Sequence, residues 1–186
     1  MPSPELDKHK KLSIRFGESW NNHEESRKWA GEILQNRTTF AVDGSQIPPT
    51  RDISMTVAAV QVGWFENPHN ENIPYEKDAE FFILSPNELM PDPAESRVSE
   101  RRIEEEVRKT REFLERKNGW KERGERMPLA LYDNTLLVPF PLAKDNKNKY
   151  IELMRELIYV SETTEVPLVG YVARSYSKDL LTFLDE

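Results

Sequence analysis

The sequence predicts an α/β domain on a mixed sheet, with three antiparallel strands followed by alternating helices and parallel strands, flanked by helices. Three observations carry this. Apolar runs rich in β-branched and aromatic residues come first, at 38–42, 54–65 and 79–85, joined by loops. A segment of helical periodicity follows from Ser99 to about Asn118. Beyond it, short apolar runs at 128–138 and 166–173 alternate with an amphipathic stretch at 147–161.

The chain has 186 residues, enough for one domain with a sizeable core. It contains no cysteine, which excludes a disulfide framework, a thiolate metal site and a Cys nucleophile. MPSPELDKHKK opens it without an apolar leader region, and no apolar run approaches membrane-spanning length. The expectation is a soluble, cytoplasmic protein. A net charge of −7 argues against a broadly basic nucleic-acid surface. It leaves room for a local basic path beside carboxylates that hold a cation.

Residues 1–20 are polar and mixed in charge. Asn21 or Asn22 can cap a helix over roughly 23–36, with Trp29, Ile33 and Leu34 as its apolar stripe. Residues 38–42 read as a strand that ends at Asp43-Gly44-Ser45, where Gly44 lets the chain turn sharply after the carboxylate. Pro48 and Pro49 keep the next loop out of a central strand. Val57, Val60 and Val62 make Ser54–Phe65 a strand, with Gly63 marking a bulge. A polar loop from Asn67 to about Asp78 leads to a third strand, Ala79–Ser85. Ser99 is expected to cap the following helix and Gly119 to stop it. Pro128–Val138 reads as a strand with Asp133 in its middle. Tyr150, Leu153, Met154, Leu157 and Ile158 line one face of a helix over Lys147–Ser161. Val166–Ala173 is a further strand and Ser177–Leu184 a closing helix.

This order is that of an RNase H-like sheet, in which the first and fourth strands lie side by side. Asp43 and Asp133 then face each other across adjacent strands. Helical geometry selects a third carboxylate. At about 100° per residue, Ile103, Val107, Thr110 and Leu114 share one arc with Glu106 at its edge, while Glu105 points nearly opposite and Glu104 to the side. Glu106 on a sheet-facing stripe needs a cation, an Arg or a donor, and Arg102 is one candidate. Glu104 and Glu105 read as solvated and paired with Arg108 and Lys109. Asp43, Glu106 and Asp133 make an oxygen-rich set suited to Mg²⁺ or Mn²⁺ rather than Zn²⁺. Two such ions can stabilise the attacking and leaving oxygens of an in-line phosphoryl displacement. The bland alternative is an ordinary turn at D-G-S and an Arg102–Glu106 pair.

The basic run from Arg108 to Arg126 is interleaved with glutamates, so it reads first as a solvated face. A phosphate-tracking path, with Trp120 stacking on a base, is the functional alternative. Trp64 and Phe65 read as core or interface, Tyr171 as alternating with core valines, and Ser45 as a turn residue.

FAVDGSQIPPTRD at 40–52 resembles the first motif of the NurA nuclease family, a hydrophobic strand ending in Asp-Gly-Ser. RRIEEE at 101–106 resembles that family's Arg-then-Glu helix, and LYDNTLLVPF at 131–140 its second Asp motif. VGYVARSYSKDLL at 169–181 is similar to a later strand-to-helix segment carrying a basic residue and serines. The resemblance divides the chain into an N-terminal extension with a helix, 1–36, and an RNase H-like nuclease core, 37–186. It implies a Mn²⁺-dependent (or Mg²⁺-dependent) DNA nuclease, 5′→3′ exonucleolytic and endonucleolytic on single strands. It also implies a homodimer that works with a HerA-type hexameric ATPase in resecting double-strand breaks. Asp43, Glu106 and Asp133 would be the metal ligands, and Arg174 and Lys178 would contact nucleic acid. Two departures from the resemblance are expected to matter: Asp133-Asn134-Thr135 replaces D-G-S, and the resemblance implies a further C-terminal part with one more metal-site residue, which is expected to be absent here. The alternatives are a non-catalytic or truncated subunit that binds the ATPase or DNA, and another RNase H-like phosphoryl transferase such as a structure-specific endonuclease.

Overall fold

The structure is a computed structural model, and it describes residues 17–49, 56–90, 94–136 and 144–172. The elements are α1 (His23–Leu34), β1 (Thr39–Ile47), β2 (Ala58–Asn67), β3 (Glu76–Leu84), α2 (Ala94–Arg116), β4 (Leu129–Tyr132), α3 (Lys144–Thr164) and β5 (Leu168–Gly170). The five strands form one sheet in the order β3-β2-β1-β4-β5. β1 pairs with β2 and β2 with β3 antiparallel, whereas β1 with β4 and β4 with β5 run parallel. The expected mixed, RNase H-like sheet is therefore present, with the first and fourth strands adjacent.

The chain divides into two compact units, Ile33–Tyr171 and a second one from the two ends, Met1–Glu32 with Val172–Glu186. In the latter, the Asn22 side chain accepts a hydrogen bond from the Glu25 N–H at 2.9 Å, so Asn22 caps α1. Trp20 and Trp29 pack with ring centroids 5.0 Å apart. No residue of α1, including those of its apolar stripe, is buried.

In the larger unit, strand residues of one parity point towards α2 and are buried: Phe40 and Val42, Val60 and Val62, Ala130 and Tyr132. Phe113 of α2 stacks on Phe40 with centroids 4.6 Å apart. Val98, Val107 and Leu114 of α2, with Tyr150, Met154 and Leu157 of α3, complete this core. The other parity leaves Phe65, Phe81, Ile83, Val169 and Tyr171 exposed, so the described part of the sheet is covered on one face. Among the described residues, no helix is long and apolar enough to cross a membrane.

Several expectations are corrected. β1 does not end at Asp43. It runs to Ile47, and Gly44 sits inside the ladder opposite Val62. The long partner β2 keeps hydrogen-bonding β1 past the glycine, so there is no turn. Asp43 pairs with Gly63 in unbroken register, and no bulge forms there. α2 starts at Ala94, which leaves Ser99 inside it, while Gly119 follows the helix with φ 73° as a stop should. β4 ends at Tyr132, so Asp133 lies just past the strand rather than in its middle. Its Asn134 N–H turns back onto the Tyr132 carbonyl at 2.8 Å, which ends the extended run. Tyr171 is exposed on the open face and does not join the core. The closing helix expected over Ser177–Leu184 lies outside the described residues.

Candidate active site

The parallel pairing of β1 and β4 builds the site. Val42 is level with Tyr132, so the next residue on each strand, Asp43 and Asp133, emerges at the same height of the sheet. Both carboxylates line one cavity of about 1020 Å³ on the open sheet face, together with Ser45, Gln61, Lys77 and Tyr171. Neither aspartate makes an ion pair with a described residue. Carboxylates on neighbouring strands that make no ion pair among the described residues are the donors a hard cation takes.

Glu106 approaches from α2, on the opposite face. It is 4% exposed, and Arg102 Nη1 donates to its Oε1 at 2.5 Å. Glu106 Oε1 lies against the Gly44 backbone, directly behind the residue after Asp43. Burial pushes the Glu106 carboxyl above its ordinary range, the Arg102 guanidinium pulls it back in part, and the charge of Asp43 raises it further. Asp43 and Glu106 therefore feel each other through the strand. Among the described residues, no group of three or more His, Asp and Glu is gathered closely enough to hold a metal ion. The structure brings Asp43 and Asp133 into one cavity and leaves Glu106 on the other face of the sheet, paired with Arg102. Arg174 and Lys178 lie outside the described residues.

Gly44 makes this approach possible. A Cβ there would stand 2.6 Å from Arg102 Cγ and closer still to Glu106 Oε1, so no side chain fits. The sequence pointed to this glycine for the wrong reason: it admits a helix, not a turn.

Two tyrosines escaped the sequence reading as site neighbours. Tyr132 is 1% exposed, and its hydroxyl makes no well-formed hydrogen bond. Burial first, then the Glu106 charge, push that phenol up. Tyr150 donates from its hydroxyl to the Thr135 carbonyl at 2.5 Å, and burial with the Glu106 charge pushes its pKa up to about 12. Both surround Glu106 with neutral, buried groups. Their only sequence signal was apolar spacing, which reads equally well as plain core.

The neighbouring glutamates also depart from expectation. Glu105 is 5% exposed and held by Arg101 at 2.8 Å and Arg108 at 2.6 Å, not solvated. The face of α2 that crosses β2 and β3 buries it beside Lys109, which sits 4.0 Å above the Trp64 ring and pairs with Glu80 at 2.5 Å. Glu104 pairs across to Lys149 of α3. The basic run is spent in the same way: Arg116 and Lys117 hold Glu66, Lys121 holds Glu165, and Arg123 holds Glu125. Trp120 packs against the core and donates to the Glu165 carbonyl at 3.2 Å, so it is not a free stacking platform.

Residues 37–186 match the family model described as the NurA domain. No curated protein matches the chain. Among solved structures, the crystal structure of the NurA nuclease from Sulfolobus solfataricus is similar, with a TM-score of 0.44 and 13% identity, covering 97% of this chain and 63% of that one. The chain thus spans 63% of the length of that solved relative.

Proposed function

The chain belongs to the NurA family, and on that premise we propose that it is a metal-dependent nuclease that hydrolyses phosphodiester bonds of DNA at the Asp43–Asp133 cavity. The observation that carries this reading is the pair of carboxylates, Asp43 on β1 and Asp133 just past β4, in one open cavity and without an ion pair among the described residues.

The Asp43–Asp133 pair suits Mn²⁺ or Mg²⁺. Such ions are commonly held by one or two carboxylates, with water and substrate phosphate oxygens filling the other positions. Asp43 and Asp133 would be those carboxylates, while Glu106, on the α2 face, is not grouped with them closely enough to share an ion. When bound, the ions supply an activated water and neutralise the leaving 3′ oxygen. The chain's own residues do the positioning. Strand pairing fixes the two aspartates on the open face of the sheet. Arg174 and Lys178 are proposed as phosphate contacts. The same reading assigns 5′→3′ exonuclease and single-strand endonuclease activity in double-strand break resection, as a homodimer with a HerA-type ATPase.

A second reading is a non-catalytic subunit that binds the ATPase or DNA. It is favoured by the Arg102–Glu106 ion pair, which engages the third carboxylate. End-labelled single- and double-stranded DNA incubated with Mn²⁺, Mg²⁺ or EDTA separates the two. Metal-dependent shortening from the 5′ end that disappears in Asp43→Ala and Asp133→Ala supports the nuclease. Absence of cleavage by the folded wild type in every metal supports the subunit.

A further inference from the structure

Strand register gives the open face of the sheet a relief. Asp43 is level with Gly63 of β2 and, beyond it, with Ala79 of β3. The neighbouring row of the same parity runs from Ala41 through Phe65 to Lys77. A lane of small residues therefore leads from Asp43 to the β3 edge, bordered on one side by Phe65 and Lys77, and all of these residues line the one cavity. Strand and residue spacings put Lys77 about 12 Å from Asp43 on the diagonal. Lys77 is the one Lys or Arg lining this cavity, and it makes no ion pair among the described residues. Arg108, Lys109, Arg111 and Arg116 of α2, by contrast, are each tied to a glutamate. The Lys77 ammonium lies 5.9 Å from the centroid of the Tyr75 ring, which is 5.0 Å from that of Phe65. Both rings are exposed, Phe65 by 39% and Tyr75 by 55%.

We propose that Phe65 and Lys77, with Tyr75 beside them, form a single-strand subsite of the Asp43–Asp133 cavity: a base of an unpaired DNA strand stacks on Phe65, and a phosphate of that strand rests on Lys77. This rests on the nuclease reading above. An exposed ring next to an uncommitted ammonium matches a nucleotide whose base face is free, and a duplex hides those faces in its stack. A protein occupant suits the face less well, because it would cover Asp43 and Asp133 without supplying a cation to either. The lane of small residues gives the strand its path from Lys77 to the aspartates. Preference for single strands is thereby set on β2 and β3, apart from the carboxylates that carry the hydrolysis, and a duplex end must fray before its strand reaches them.

The test is binding of labelled single-stranded and blunt duplex DNA of one sequence to the full chain in EDTA, so that nothing is cut, over a series of salt concentrations. Wild type is expected to prefer the single strand. Phe65→Leu keeps an apolar side chain and removes the ring; it is expected to weaken single-strand binding about tenfold and duplex binding little. Phe65→Trp keeps a ring and is expected to retain the affinity. Lys77→Met is expected to reduce the slope of log affinity against log salt for the single strand by about 0.7, the loss of one phosphate contact. Lys77 is exposed and unpaired among the described residues, so this variant carries the test should Phe65→Leu fold poorly. Unchanged single-strand binding in the folded variants, or equal losses on both forms of DNA, overturns the subsite; Mn²⁺-dependent cleavage by wild type then leaves the nuclease standing. Selective loss of single-strand binding, from a wild type that cleaves nothing in any metal, supports the subsite and overturns the nuclease. Conversion of a dimer into a monomer by Phe65→Asp, read by sedimentation, makes this face a subunit interface and overturns the subsite.

Discussion

Glu106 occupies the space that a side chain at residue 44 would need: a Cβ on Gly44 would run into the carboxylate and into Arg102 Cγ, 2.6 Å away. A helix and a strand approach this closely only where one of them has no side chain, so the Asp-Gly pair encodes two functions in adjacent residues. The aspartate faces the open cavity, and the glycine admits the glutamate from behind.

Gly44→Ala is therefore expected to destabilise the fold by about 1–3 kcal/mol, the usual range for overpacking. Denaturant unfolding measures this. A cost within the scatter of surface substitutions would mean that α2 shifts freely and that the close approach is not needed.

Asp43→Asn and Asp133→Asn are expected to leave stability unchanged, because both groups line a solvent-open cavity and make no ion pair with described residues. Cleavage is expected to fall on the order of a hundredfold or more in each. Melting curves run beside nuclease assays check the two halves separately. A large drop in melting temperature would recast the aspartates as structural.

Glu106 gives a prediction with a sign. Its folded pKa is raised above the ordinary 4.5, chiefly by burial. Relative to a neutral isostere, its protonated form contributes stability that is fully present below that ordinary value and is lost as pH rises through the raised one. The stability of Glu106→Gln relative to wild type is thus expected to improve as pH rises above 4.5, and to be least favourable below it. Unfolding free energies of the two proteins across acidic to neutral pH provide the check. A difference that does not vary with pH would contradict the burial of the charge.

Trp120→Ala is expected to lower stability by about 2 kcal/mol or more, since the ring packs against the core and its N–H is bonded to the Glu165 carbonyl. DNA affinity is expected to stay the same. Fluorescence anisotropy with labelled single strands distinguishes this from a stacking role, which would show as a loss of affinity in a protein that still folds.

Sequence patterns exposed the sheet well, because the apolar runs at 38–42, 54–65 and 79–85 and the alternation beyond them reflect burial directly. They also placed Asp43 and Asp133 on neighbouring strands, since adjacency follows from topology. What they missed depends on contacts between distant residues. Gly44 looks like a turn signal until α2 is laid across it, and Glu105 looks solvated until Arg101 and Arg108 close over it. Tyr132 and Tyr150 look like core until Glu106 is seen between them. The metal set itself stays a reading from residue type and from family membership.

The parallel joint between β1 and β4 also orders events in time. Arg37, just before β1, reaches the Met127 carbonyl across 90 residues of chain, and the two aspartates are separated by a comparable span. During synthesis the three-stranded meander and α2 can condense from near neighbours, whereas β4 must wait until most of the chain has emerged. The Arg102–Glu106 pair, four residues apart on a single helix, is available from the first turns of α2. The cavity that holds both aspartates therefore exists only where β4 pairs with β1.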